Sequence, residues 1–206
     1  MKITALSHRK KGLTAVTFED GREVLIDTEL ISKKGLMVQS EVEDLDKLLY
    51  ESDFKRAKSR ALWYLSRRDH SRKELYDKLV SGGFSDRAAF DSVERMVELG
   101  LVDDLAYAKR LYEQLVGCNC ASNREATLKL KLKGIHPDII KEISEDNMTD
   151  ECENIKLLIN KKYAKHLDTE EGVKKVFAAL IRKGFSFSDV RKALKEYSLE
   201  LDCEEF

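Results

Sequence analysis

A helix-length signature occurs three times in this chain: SRKELYDKLVSGGF over 71–84, SNREATLKLKLKGI over 122–135 and GVKKVFAALIRKGF over 172–185. Recurrence at a spacing of roughly fifty residues predicts a helical array in which each unit buries its apolar face against a neighbour, not an enzyme built around one pocket. Gly83, Gly134 and Gly184 stand where each helix must stop, in the left-handed conformation that only glycine enters cheaply. The residue after each glycine (Phe84, Ile135 or Phe185) and the leucine four before it (Leu79, Leu130 or Leu180) supply the apolar contact of a Schellman ending.

The starts are alike in two of the three units. Ser71 with Glu74 and Ser122 with Glu125 spell the capping box. In the third, Gly172 replaces the serine, and Thr169 or Asp168 caps a longer helix. A second helix follows each glycine, capped by Ser85, by His136 with Pro137 at its first position, or by Ser186 with Asp189. Its buried stripe runs through Ala89, Val93, Met96 and Val97, then Ile139, Ile140 and Ile143, then Val190 and Leu194. A third helix precedes each signature, marked by Ala57, Ala61, Tyr64 and Leu65, by Ala108, Leu111, Tyr112 and Leu115, and by Ile155, Leu158 and Ile159. Each unit is thus a three-helix module, too small to bury a good core alone.

The first forty residues differ in kind. Leu13 to Phe18 and Glu23 to Asp27 alternate around Asp20-Gly21, a strong hairpin signal, and Ile3 to Leu6 adds a strand. So small a sheet needs a partner face, and the first helices are the expected one. Ser40 with Glu43 opens a short helix to about Tyr50, and Asp53 caps the first repeat helix. The expected fold is mainly α, with a small β element over 1–40, a connecting helix over 41–53, and three-helix repeats over 54–103, 104–150 and 151–206, the last carrying an acidic tail.

With 36% charged residues, 42% hydrophobic residues and one proline, the 206-residue chain reads as soluble and helix-rich. It holds no apolar run of membrane-spanning length and no signal-peptide core at its N-terminus, so a cytoplasmic protein without membrane contact is expected. Four cysteines fit neither a disulfide framework nor a common zinc site. Cys118 and Cys120, the only close pair, are either simple reduced thiols or a redox-sensitive CxC in a loop.

A net charge of -1 hides strong segregation. Lys55, Arg56, Lys58, Arg60, Arg67, Arg68, Arg72 and Lys73 face Asp69 alone, whereas acid collects over Glu41 to Asp53, Glu142 to Glu153 and the tail Glu200 to Glu205. Helical geometry puts Arg56, Arg60, Trp63 and Arg67 on one face. Two readings stand for the sole tryptophan. It is either a recognition residue among arginines or a cover for the N-terminal sheet with arginines snorkelling around it. A second strip, Arg124, Lys129, Lys131 and Lys133 interleaved with Leu128, Leu130 and Leu132, reads as an ordinary solvated face.

Tyr64, Tyr76, Tyr107 and Tyr112 read as core residues with hydroxyls at the rim. His70 and His136 fall at cap or turn positions, and His8 and His166 on the surface. Asp103 and Asp104 read as an N-cap pair, with metal binding or acid–base work as the alternative. No nucleophile–base pair, phosphate loop or metal cluster points to catalysis, and no cofactor or metal is expected.

The run ALWYLSRRDHSRKELYDKLVSGGF with VERMVELGLVDDLAYAKRL resembles the RecX family of regulators of the RecA recombinase. The marks are Ala61-Leu62 and Leu65-Ser66-Arg67-Arg68 before the helix, Ser71 to Leu75 opening it, Lys78-Leu79 and Gly83-Phe84 closing it, then Leu101 to Asp104 and Ala106 to Ala108. The resemblance covers 61–110 strongly and 111–197 through the weaker second and third repeats. It implies an elongated, curved tandem array of three three-helix repeats that lodges as a monomer in the RecA filament on single-stranded DNA. There it would inhibit ATP hydrolysis, strand exchange and the coprotease activity behind SOS induction. The expected contact residues are Arg56, Arg60, Trp63, Arg67, Arg68, Arg72 and Lys73, facing either acidic recombinase surface or, as a weak direct contact, DNA phosphates. A helical nucleic-acid-binding module acting independently of RecA is the alternative.

Overall fold

The structure is a computed structural model that describes residues 1–146 and 151–197. Within them the chain is mainly helical, with ten α-helices and one three-stranded sheet. It divides into two compact units, Met1–Asp103 and Asp104–Phe206. The acidic tail from Glu200 to Glu205, with Cys203, lies outside the described residues.

In the first unit, β1 (Ile3–Arg9), β2 (Leu13–Phe18) and β3 (Glu23–Asp27) form an antiparallel meander in which Val16 faces Leu6 on one side and Val24 on the other. The Asp20-Gly21 turn forms as its sequence dictates, with Gly21 at φ 82°. Ile3, Val16, Phe18 and Ile26 are fully or almost fully buried against Leu30 and Ile31 of α1 (Thr28–Lys34) and Leu48 of α2 (Leu45–Leu65). The sheet therefore finds its partner face on the first helices, as expected. Helix α1 itself was not foreseen; Asp27 caps it, accepting from the N–H of Leu30 at 3.0 Å.

One helix stands where the sequence reading has two. Helix α2 runs 21 residues without a break and is capped by Asp44, which accepts from the N–H of Lys47 at 2.8 Å. Ser40 instead accepts from the N–H of Met37, and residues 45–53 are the first turns of α2. Asp53 stays inside the helix because the inward positions continue through it: Leu48 faces the sheet, Ala57 and Ala61 are fully buried, and Ala61 joins the module core. The freed carboxylate reaches across to cap α4, accepting from the N–H and hydroxyl of Ser85 at 2.8 and 2.6 Å.

The first module consists of the second half of α2 with α3 (Arg72–Ser81) and α4 (Asp86–Glu98), around Ala61, Leu75, Leu79, Ala89, Val93 and Met96. Burying Leu75, Leu79, Val93 or Met96 contributes about 1.5–3 kcal/mol each. The second unit holds two further modules. One is α5 (Asp104–Glu113), α6 (Asn123–Leu132) and α7 (Pro137–Asp146), packed on Ala108, Tyr112, Leu130 and Ile143. The other is α8 (Cys152–Leu158), α9 (Glu170–Arg182) and α10 (Phe187–Lys195), packed on Ile155, Leu158, Leu180, Phe185 and Val190. Helices α5 and α8 each run on into a five-residue π turn, Gln114–Cys118 and Ile159–Tyr163, which the sequence pattern did not show.

The repeated helix ends form as read. Gly83, Gly134 and Gly184 take φ of 87°, 73° and 94°. The N–H of Phe84, Ile135 and Phe185 donates to the carbonyl of Leu79, Leu130 and Leu180 at 3.3, 3.2 and 3.3 Å, the long bond of a Schellman motif. Ser71, Ser85, Ser122, Thr169 and Ser186 all cap through their side chains.

Candidate functional site

The candidate site lies on the C-terminal half of α2, where residues three and four apart become neighbours on the helix surface, and on the turn directly after it, which carries Arg67 and Arg68. The guanidinium groups of Arg60 and Arg67 stand 5.3 and 4.5 Å from the ring centre of Trp63, which packs edge-to-face on Tyr64 at 5.2 Å. Trp63 remains 44% exposed, as does Leu62 beside it. Each cation–π contact contributes about 0.5–1 kcal/mol at an exposed site, which biases both arginine side chains toward the ring against about 2 kcal/mol of rotamer entropy apiece. Among the described residues neither arginine is paired with a carboxylate.

Trp63 does not cover the sheet. Helix α2 meets the sheet core through Leu45, Leu48 and Leu49, and Trp63 lies about 22 Å further along the axis.

The other four expected contact residues are placed differently. Arg56 sits one turn before Arg60, with its guanidinium 5.5 Å over the Phe84 ring and 3.9 Å from the Asp53 carboxylate. Arg68 holds Glu74 through both guanidinium nitrogens, at 2.6 and 3.1 Å. Arg72 pairs with Glu94, and Lys73 with Asp77 at 2.6 Å. The Arg72–Glu94 and Lys73–Asp77 pairs are exposed, worth about 0–1 kcal/mol, and a partner's carboxylates or phosphates can replace them at little loss, whereas Arg68 is held two-fold by a Glu74 side chain that is 15% exposed. Sequence reasoning missed Lys78, whose ammonium lies 5.2 Å from the Tyr64 ring centre. It reaches this cluster from α3, so no spacing within one helix would have revealed it.

Beneath the cluster His70 is 4% exposed, 6.1 Å from Tyr64 by ring centres, with its Nδ1 3.1 Å from Glu74 Oε2 but outside hydrogen-bond geometry. Burial pushes its pKa below the ordinary histidine value, more than the Glu74 carboxylate raises it. The turn position was read from sequence; the burial was not.

On α6, Lys129 pairs with Glu125, while Leu128 and Leu132 are 57% and 74% exposed, so the second basic strip is an outward helix face. Tyr107 and Tyr112 are buried, and Tyr64 and Tyr76 partly so, with the hydroxyls of Tyr76 and Tyr112 bonded to Asp86 and Asn123. Helix α5 starts at Asp104, directly after Asp103. Cys118 is exposed, Cys120 and Cys152 are buried, and all three are free thiols. Among the described residues no group of three or more His, Cys, Asp or Glu could hold a metal ion, and no helix is long and apolar enough to cross a membrane.

Three-helix modules with capped ends, carrying an exposed arginine–tryptophan face, define a helical-module protein. Comparison with known proteins gives that class a family. The family model described as RecX, first three-helix domain, matches residues 57–96, and RecX, third three-helix domain, matches residues 149–194. The regulatory protein RecX of Prosthecochloris aestuarii is 32% identical over 147 residues, covering 71% of this chain and 96% of the relative. That of Bacillus licheniformis is 30% identical over 207 residues, covering 97% and 79%. The crystal structure of RecX from Lactobacillus salivarius superposes with a TM-score of 0.61 at 25% identity, over 71% of this chain and 97% of that one. A second RecX crystal structure shares the fold at TM-score 0.66 and 20% identity, over 94% and 98%. The chain belongs to the RecX family of regulatory proteins.

Proposed function

We propose that this protein is a cytoplasmic, non-enzymatic regulator of the RecA recombinase. It binds the RecA filament on single-stranded DNA as a monomer and lowers its ATPase, strand-exchange and coprotease activities, and with them recombinational repair and SOS induction. Family membership supports the reading. The observation that carries the contact assignment is the Arg60–Trp63–Arg67 cluster, two guanidinium groups in contact with the ring of a half-exposed tryptophan and, among the described residues, without carboxylate partners. Tryptophan and arginine dominate binding hot spots, and arginine forks match carboxylates. Arg56 and Arg68 flank the cluster, and Arg72 and Lys73 extend its positive field by exchanging their present partners.

The test is single-stranded-DNA-dependent ATP hydrolysis by the cognate RecA with increasing amounts of this protein. Inhibition is expected at ratios too low to coat the DNA. Inhibition that appears only at coating ratios indicates competition for DNA, and untouched activity at all ratios rejects the reading. Charge reversal at Arg60 and Arg67 is expected to weaken inhibition with the helical circular dichroism intact.

A further inference from the structure

Several lysines of the second unit are paired with carboxylates: Lys109 with Glu142, Lys129 with Glu125, Lys141 with Glu145, Lys156 with Glu153 and Glu196, Lys174 with Glu170, and Lys175 with Glu171. One cluster is not. Lys161, Lys162, Lys165 and His166 occupy the π turn and the short 3-10 turn that end α8; all four are exposed, and among the described residues none is paired with a carboxylate. The glutamates of the surrounding elements, Glu153, Glu170, Glu171 and Glu196, are engaged by other lysines, which leaves Asp168 as the nearest acidic residue along the chain.

The backbone under these cations is held from below. Ile159 is fully buried, and Tyr163 and Leu167 pack on the same core, so the turn offers its cations from a fixed base. The Tyr197 hydroxyl donates to Asn160 Oδ1 at 2.9 Å and so ties the segment after α10 to the start of the turn. A favourable interaction with the α8 carboxyl-terminal dipole offsets part of the mutual repulsion, but it acts only over the last turn. Four positive or protonatable groups within six residues exceed what that dipole can balance. Within the turn Tyr163 packs inward, and the exposed ring of Tyr197 beside it is tied through its hydroxyl to Asn160, so the lysines are the groups left to meet a ligand. Lysine ammoniums act as compact point charges suited to phosphate oxygens.

We propose that this corner is a second, separate anion-binding surface whose ligand is the phosphodiester backbone of a nucleic acid. It does not depend on the RecA reading, since it requires only the protein and the polyanion.

The test is fluorescence anisotropy of a labelled oligothymidylate, and of a labelled duplex of equal length, titrated with the full chain between 50 and 200 mM salt. The triple variant K161Q/K162Q/K165Q is expected to bind at least about tenfold more weakly at the low-salt end. On the single strand its salt slope should fall by about 2, at roughly 0.7 per lost phosphate contact. The variant K174Q/K175Q, which removes two paired lysines, is expected to stay within about twofold of wild type. Should the triple variant lose its helical circular dichroism, the single variants K161Q and K165Q are each expected to lower the slope by about 0.7. Three results overturn the proposal: no binding by the wild type to either nucleic acid, wild-type affinity and slope in the lysine variants, or displacement of the oligonucleotide by polyglutamate as effectively as by unlabelled oligothymidylate.

Discussion

The hydroxyl of Ser122 donates to the carbonyl oxygen of Lys183 over 2.6 Å while its oxygen accepts from the N–H of Glu125 at 3.1 Å, so one side chain opens α6 and closes α9. Ser122 is fully buried at this joint between the second and third modules. Ser122→Ala removes the cap and strands the Lys183 carbonyl, for an expected loss of about 1–3 kcal/mol. Ser186→Ala, which removes an exposed cap, is expected to cost about 1 kcal/mol. Urea unfolding of both variants checks the order; equal losses would show that the joint contributes nothing beyond capping.

Gly172 tests a close approach. A Cβ there would lie 1.9 Å from the carbonyl oxygen of His166, whereas a Cβ on Gly117 meets nothing within 4 Å. Alanine for glycine in a helix ordinarily stabilises by about 1 kcal/mol. Gly117→Ala is expected to be neutral or stabilising, and Gly172→Ala to lower the melting temperature by several degrees. A Gly172→Ala protein as stable as wild type would mean that the 3-10 turn is not held against α9.

His70 gives the first module a pH dependence. Burial holds its pKa in the folded protein below the ordinary 6.5, against the pull of Glu74 and with Arg68 and Lys78 nearby. The unfolded chain therefore takes up its proton first, so the contribution is intact above about pH 6.5 and is lost as the pH falls through that value toward the folded pKa. The urea midpoint is expected to drop between pH 7.5 and 5.5, and His70→Gln to flatten the drop. A slope unchanged in His70→Gln assigns the effect to other groups.

Trp63, the only tryptophan, reports on its own site. Its emission is expected to change when RecA filament is added. Trp63→Phe should keep the fold and raise the protein concentration for half inhibition by about tenfold, the scale of a central hot-spot residue. Emission unaffected by filament that nevertheless loses ATPase activity would place the contact elsewhere.

The helix ends were the most legible part of the fold, because a left-handed glycine, its flanking leucine and a capping serine are local signals that packing has no reason to override. The break placed between Tyr50 and Asp53 was wrong because Asp53 resembles a cap until its partner, Ser85, is known to lie across the module. The π turns were invisible for a related reason: an extra residue in a turn leaves the apolar pattern nearly intact. At the site, the shared face of Arg60, Trp63 and Arg67 followed from helical spacing alone. The engagement of Arg68 and Arg72 did not, since Glu74 and Glu94 sit on other helices.

Helix α2 carries Leu48 in the core of the sheet and Ala61 in the core of the first module. With Asp27 accepting from Lys55 at 2.6 Å, and Ser52 receiving the N–H of Asp27 at 2.8 Å, the sheet grips one end of the rod and fixes its rotation about its axis. The N-terminal sheet thereby holds a fixed angle to a surface it never touches. Loosening it would turn the sheet relative to Arg60, Trp63 and Arg67 while the module core around Ala61 keeps their own contacts in place.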